Sequence, residues 1–439
     1  MSSRLGEAHR SGAGARGRGD GPLTARLHDP EDRAHARHGM RPLKELMSFN
    51  EALRIATNLV HPMDRRETAA IGDALHRVSA EDVRSPIDVP LADRAAMDGY
   101  AVVSRDTIPA GKTKPVTLRR IETLYADGVP RERVAPGRCT VVATGSMLPK
   151  GADAVVMVED TESEGGLVKV YSPVRPGENV SRRGEDIARK SLVVRTEEVL
   201  TPAKVGALAA IGRARVRVYA RPRVAILTTG DEVVPPGKRI RAGQVYDINS
   251  HTIASVVREN GGEPVLLGRV PDRLEALHAA FKKAIANDLV VVSGGSSVGE
   301  KDIVVDVLRS MGDLLFHGIA VKPGRPTALG RVGGKAVLGM PGNPTSCLSN
   351  CYVILAPMLR RIAHLPPHER IVEVPLAKRV VSAIGRVEFH TVRIVEGRAV
   401  PAYKESSAIT SMAHADGYIE IPANAHLVEK GERVRVTLF

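Results

Sequence analysis

The decapeptide SGGSSVGEKD, Ser293 to Asp302, follows the apolar run LVVV with no polar transition. A strand ending this way turns the backbone N–H groups of Gly294, Gly295, Ser296 and Ser297 toward a potential anion, yet the same loop carries the Asp302 carboxylate. Three further loops share this mixed chemistry. TTGDE places Asp231 and Glu232 after the turn residue Gly230, PD puts Asp272 at a predicted helix start, and PGNPTS enters a helix whose N-terminus favours an anion. Between the last two strands, VKPGRP holds Lys322 and Arg325 between prolines. Amide nests with Lys and Arg suit a phosphate or an oxyanion, whereas Asp231, Glu232 and Asp302 repel one. A hard divalent cation such as Mg²⁺, bridging carboxylates and phosphate oxygens, removes the conflict. Taken singly, each residue has a plainer reading: Asp302 as a helix cap, Asp231 or Glu232 as a solvated turn residue, Ser297 as part of a turn. Neither G-x-x-x-x-G-K-[ST] nor a strand-to-helix G-x-G-x-x-G occurs, which weakens the ordinary nucleotide readings. Cys347 and the serines lack the partner pattern of a covalent nucleophile, and His251 and His317 read as packing or surface residues.

Such loops act together only if one scaffold brings them to one rim. Residues 222 to about 365 alternate strand patterns (RVAILTTG, PVLLGRV, DLVVVSGG, KAVLGMPG) with helical ones, which predicts a largely parallel sheet covered by helices. In that architecture ligands bind outside the carboxyl ends of the strands, where these loops fall. Upstream, SFNEALRIATNLV carries a capping Ser48, Glu51 three residues on, and apolar residues at helical spacing. Residues 112–190 read as short strands broken by Pro and Gly, and TPAKVGALAAIG followed by an alternating basic strand suggests a return to the first unit after an insertion. The expected organisation is a disordered basic tail over 1–47, with Met40 an alternative start, and a linker domain from 48–88 with 186–220. An inserted β-rich domain over 89–185, an α/β domain over 221–365 and a C-terminal β domain over 366–439 complete it.

A chain of 439 residues exceeds the size at which one core keeps growing. Its net charge of +13 fits a nucleic-acid binder and equally a protein that attracts a polyanionic small molecule. The absence of Trp and an aromatic content of 3% argue against base-stacking platforms, and the scattered Lys and Arg read as a solvated surface, so no nucleic-acid partner is expected. Cys139, Cys347 and Cys351 are too few for a disulfide framework and imply a reducing compartment, with Cys347 and Cys351 facing a core. No apolar run approaches the roughly 20 residues of a membrane span and no signal peptide is evident, so a cytoplasmic protein without a membrane partner is expected.

The motifs AAMDGYA, ATGSMLPKGADAVVMVED, RRGEDI, TTGDE, SGGSSVGEKD, VKPGRP and MPGNP occur in an order that resembles the MoeA family and the E domain of gephyrin, from about Ser48 to the C-terminus. The resemblance implies a multidomain α/β protein: a molybdopterin-binding, MogA-like α/β domain, an inserted β domain, a helical linker domain and a C-terminal β domain. It further implies a homodimer that inserts molybdate into adenylylated molybdopterin as the pyrophosphate bond is cleaved, giving molybdenum cofactor and AMP. An adenylylating MogA-like enzyme is a candidate partner. Carried over by motif, Asp98 and Thr144 become the insert's catalytic contributions to the cleft, with catalytic Asp186 nearby, and in this family the insert faces the α/β domain of the partner subunit. Glu232, Asp272 and Asp302 become catalytic, with Asp231, Glu232 and Asp302 as Mg²⁺ ligands. Gly294, Gly295, Ser296, Ser297, Lys322 and Arg325 hold anionic groups, while Pro341 and Pro344 shape the last turn. Two positions depart from the family pattern: Ala95 where a serine is frequent, and Gly318 where a basic residue is frequent. They leave open tungstate in place of molybdate. A gephyrin-like scaffold without catalysis is the alternative of a different class.

Overall fold

A computed structural model describes residues 46–294, 303–368, 370–403 and 407–439. Its central sheet has six strands, numbered within that sheet as β1 (Arg223–Thr229), β2 (Glu263–Val270), β3 (Leu289–Ser293), β4 (Gly312–His317), β5 (Ala328–Val332) and β6 (Lys335–Met340), in the order β2-β1-β3-β6-β5-β4. The first four in that order are parallel, and β5 and β4 add an antiparallel edge. Continuous apolar runs fit this placement, because a central parallel strand is covered on both faces: every residue of β3 is buried, as is every residue of β1 after Arg223. Side chains of β1 alternate between two cores. Val224 and Ile226 pack with Ile253 and Val257 of helix Asn249–Glu259, whereas Ala225 and Leu227 pack with Leu277 and Phe281 of helix Leu274–Ala284. The chain thus leaves β1 over one face toward β2 and returns over the other to β3. The crevice opened by this reversal lies at the carboxyl ends of β1 and β3.

Two elements differ from the expectation. β4 and β5 have no counterpart among the four expected strands; they join β6 through a two-residue turn at Gly333 and Gly334, with φ of 55° and 76°. Most of β4 is only partly buried, so its sequence lacks a clear alternation, although Gly-Gly between apolar runs is a hairpin signal. Helix Phe49–Leu59 is capped as expected, Ser48 Oγ accepting from Glu51 N at 3.3 Å. However, Phe49, Ala52 and Ala56 enter the core shared by β1, β3 and β6, so by packing the helix joins the α/β unit and not the linker assigned to 48–88. Helical spacing reveals an apolar face and is silent on which core covers it.

The rest of the linker closes on itself through antiparallel pairing of Arg66–Ala70 with Arg215–Tyr219 and of Val83–Arg84 with Leu192–Val194. Helix Pro202–Ala210 begins at Thr201, whose hydroxyl accepts from Lys204 N. Between these pairings lies a second six-stranded sheet, running from Ala154–Met157 through Gly99–Val102, Arg138–Val142, Val116–Leu124 and Leu167–Val170 to Thr161–Glu164. A third sheet contains Val387–Val395, Gly417–Ile421, Arg433–Leu438 and Ile371–Pro375, and borrows Val321–Lys322 from the loop before β5. The architecture is the expected multidomain α/β arrangement with an inserted β region and a C-terminal β unit. Among the described residues no helix is long and apolar enough to cross a membrane.

Candidate active site

Strand register assembles the rim. Thr229 of β1 stands beside Val270 of β2, Ser293 of β3 beside Thr228, and Met340 of β6 beside Ser293, so residues beyond these positions share one edge of the sheet. Gly294 makes the turn after β3 at φ +96°, and a Cβ there would sit 2.4 Å from Thr229 O. Its N–H, expected to face an anion, instead donates to Met340 O at 3.3 Å. Parallel pairing of β3 with β6 extends one step past the strand end and takes up that donor. Gly295, Ser296, Ser297 and Asp302 lie outside the described residues.

Behind the rim, buried Asn249 donates from Nδ2 to Ser293 Oγ and to Gly342 O, both at 2.8 Å. Ser293 Oγ in turn donates to Pro341 O at 3.3 Å and lies 3.7 Å from Cys347 Sγ. One amide therefore ties the ends of β3 and β6 to helix Asn249–Glu259. Pro344 opens helix Pro344–Asn350, where Cys347 and, just beyond it, Cys351 are buried as expected. Asp247 stabilises the entry to helix Asn249–Glu259 by accepting from Ser250 N at 3.0 Å and Thr228 Oγ1 at 3.2 Å. Neither Asn249 nor Asp247 was a sequence candidate; the capping pattern D-I-N-S was the available signal. Replacing Asn249 with Ala leaves Ser293 and Gly342 without this donor, so denaturant unfolding should report a loss of about 1–3 kcal/mol.

The acidic side of the rim is unevenly solvated. Asp231 is exposed and pairs with Arg269 Nη1 at 3.3 Å, a contact worth little at the surface. Glu232 is exposed and folds back over the turn, its Oε1 2.8 Å from where a Cβ on Gly230 would stand. Asp272 is half-buried, and its Oδ1, like Thr229 Oγ1, is buried with no partner in hydrogen-bond geometry. Burial pushes the Asp272 carboxyl above the usual carboxylate range and repulsion from Asp231 and Glu232 adds to this, while the neighbouring Thr229 hydroxyl and Arg269 oppose it. A carboxyl with an orphaned oxygen, crowded by two others, suits an oxygen-seeking hard cation. Among the described residues no three side chains converge into a finished metal cage.

On the inserted sheet Asp98 and Thr144 meet. Asp98 Oδ1 accepts from Thr144 N at 2.6 Å and from Thr144 Oγ1 at 2.8 Å, and these two bonds hold the exposed carboxyl below its usual range. Ala95 is buried in the same loop pair, its N donating to Ser146 O at 2.9 Å. Asp186 belongs elsewhere: its N donates to Val89 O, and it lines a cavity of about 440 Å³ with Ser191, Ala203 and Ala207. The hydrogen bonds of Asp98 run to Thr144 and Val158 of the same insert, and the ion pair of Asp231 runs to Arg269 of the α/β unit. Lys322 Nζ lies 3.4 Å from Glu388 Oε2 of the C-terminal unit, and Arg325 O accepts from Ile319 N. Gly318 adopts φ +90°, a conformation that disfavours any residue with a side chain.

The comparisons with known proteins cover this whole arrangement. Residues 47–212 match the family model "MoeA N-terminal region (domain I and II)", 225–361 match "Probable molybdopterin binding domain", and 373–439 match "MoeA C-terminal region (domain IV)". The molybdopterin molybdenumtransferase of Haemophilus influenzae is 36% identical, over 72% of this chain and 78% of that one. Molybdopterin molybdenumtransferase 2 of Mycobacterium tuberculosis is 32% identical, over 89% of this chain and 99% of that one. The crystal structure of the molybdopterin biosynthesis MoeA protein from Pyrococcus horikoshii OT3 superposes with a TM-score of 0.79 at 32% identity, covering 90% of this chain and 100% of the other. Sequence, domain order and three-dimensional shape agree: the chain belongs to the MoeA family.

Proposed function

We propose that this protein is a molybdopterin molybdenumtransferase of molybdenum cofactor biosynthesis, and that it inserts molybdate into adenylylated molybdopterin with cleavage of the pyrophosphate bond and release of AMP. Beyond family membership, the observation that carries this reading is the rim itself: the half-buried Asp272, its Oδ1 orphaned and its carboxyl repelled by Asp231 and Glu232, with the Gly294 turn across β1 from it. Asp231, Glu232 and Asp272 would hold Mg²⁺, which neutralises charge on the pyrophosphate oxygens when bound. The chain's own residues supply the rest of the electrostatics. Lys322 and Arg325 attract the anionic groups, and preorganised donors need no rearrangement as charge develops on the leaving phosphate. Asp98, kept ionised by the Thr144 amide and hydroxyl, presents a fixed acceptor to the substrate.

In this reading, which follows the resemblance to the MoeA family, the Asp98 loop completes the site on the partner subunit of a homodimer. Asp98→Ala and Glu232→Ala should each lower insertion by about 100-fold or more, read anaerobically as AMP and cofactor formed from adenylylated molybdopterin, molybdate and Mg²⁺. Co-refolding the two variants should restore about a quarter of wild-type activity, because half of randomly formed dimers are mixed and each has one intact site. No restoration would place both residues in one subunit's site, and full activity in both variants would end the catalytic reading. Tungstate offered in parallel tests the choice of oxyanion.

A further inference from the structure

The loop carrying Lys322 is tied to the C-terminal unit by backbone and side chain together. Val321–Lys322 pairs in parallel with Val387–Glu388, and the register sets Lys322 opposite Glu388. Strand alternation then puts His390 on the same face as Glu388. The Glu388 side chain is only 2% exposed. Its Oε2 lies 3.4 Å from Lys322 Nζ and its Oε1 3.0 Å from His390 Nδ1. Burial pushes this carboxyl up, but His390, Ser382 and Lys322 more than offset it and the group titrates below its usual range. A carboxylate is not buried to this degree without partners, because desolvating an unpaired charge is costly. The Lys322 ammonium also stands 5.7 Å from the Tyr403 ring centroid, and the His390 ring packs against the same tyrosine at 5.3 Å. Lys322 is 37% exposed, so its three-donor ammonium can hold Glu388 and still present N–H groups outward.

We infer that Glu388 is a positioning residue: braced by His390, it fixes the Lys322 ammonium at the junction of the α/β and C-terminal units so that it meets the anionic substrate from one direction. A lysine on a flexible four-carbon stem would otherwise sample many positions. The inference rests on the proposed reading of Lys322 as an anion-holding residue. Glu388 acts through Lys322, and its removal is felt only while the lysine is present.

The test compares Glu388→Gln, Lys322→Ala and the double variant, all in the full chain. If Glu388 works through Lys322, Glu388→Gln raises KM for molybdate or for adenylylated molybdopterin by about tenfold with kcat changed by about twofold or less, and adds nothing in the Lys322→Ala background. A second readout needs no turnover: acetic anhydride labelling of Lys322, quantified by mass spectrometry against Lys335, should rise several-fold in Glu388→Gln as the ion pair is lost. Unchanged labelling, or effects of the two substitutions that simply add, would overturn the inference. Should Glu388→Gln not fold, Glu388→Asp keeps the charge, shortens its reach and gives the same two readouts. If the wild-type protein makes no product, the proposed function fails, and labelling still decides whether Glu388 holds Lys322.

Discussion

Asp272→Asn is expected to lower molybdate insertion by about 100- to 1,000-fold while making the unliganded protein more resistant to heat at neutral pH. Both effects come from one cause. The Asp272 carboxyl sits half-buried beside Asp231 and Glu232 with Oδ1 unpaired, and its pKa is raised, chiefly by burial. A carboxyl whose folded-state pKa exceeds its unfolded value contributes stability below the unfolded value, and that contribution is lost as pH rises through the raised one. Above the unfolded value the wild type therefore loses stability that asparagine, which does not ionise, keeps. Melting temperatures of variant and wild type should converge below the ordinary carboxylate range and separate as pH rises above it. Mg²⁺ should raise the wild-type melting temperature and leave the variant nearly unmoved, since binding only the folded state stabilises it. Insertion by the wild type should fall as pH drops through the raised Asp272 value. A variant that keeps wild-type turnover would remove Asp272 from the catalytic set.

Gly294→Ala should cost roughly 2–4 kcal/mol of stability and abolish measurable insertion. Two penalties combine there: φ is +96°, and the added Cβ would meet Thr229 O at 2.4 Å and Thr229 Oγ1 at 2.9 Å. Relief requires either β1 or the turn to move, and both carry rim residues. Gly212→Ala provides the control, because Gly212 has φ +76° and nothing within 4 Å of its Cβ position. That variant should lose only the backbone term, about 1 kcal/mol, and keep its activity. Denaturant unfolding of the two variants separates steric clash from backbone strain; equal losses would show that the approach of Gly294 to Thr229 is unimportant.

Much of the scaffold was legible because it is written locally. Ser48 and Thr201 announce helix starts by their hydroxyls, and the buried runs of β1 and β3 announce central parallel strands. β4 and β5 were not, since a weakly buried edge strand has a faint period and its partner follows only after Val321–Lys322 has joined the C-terminal sheet. The candidate residues Gly230, Asp231, Glu232, Asp272 and Gly294 were found from turn chemistry and from resemblance, and the register of β1, β2, β3 and β6 explains why they share an edge.

By itself, then, the sequence determined which residues can turn, cap, carry charge or enter a core, because those properties belong to a few neighbouring residues and their backbone angles. Only the tertiary structure decided that Asn249 ties Ser293 to Gly342, that helix Phe49–Leu59 covers the α/β core, that Gly294 spends its N–H on Met340, and that Lys322 faces Glu388. Each of these joins segments far apart in the chain. Hydrophobic burial draws such segments together without direction, and the register of hydrogen-bonded strands then selects which side chains meet.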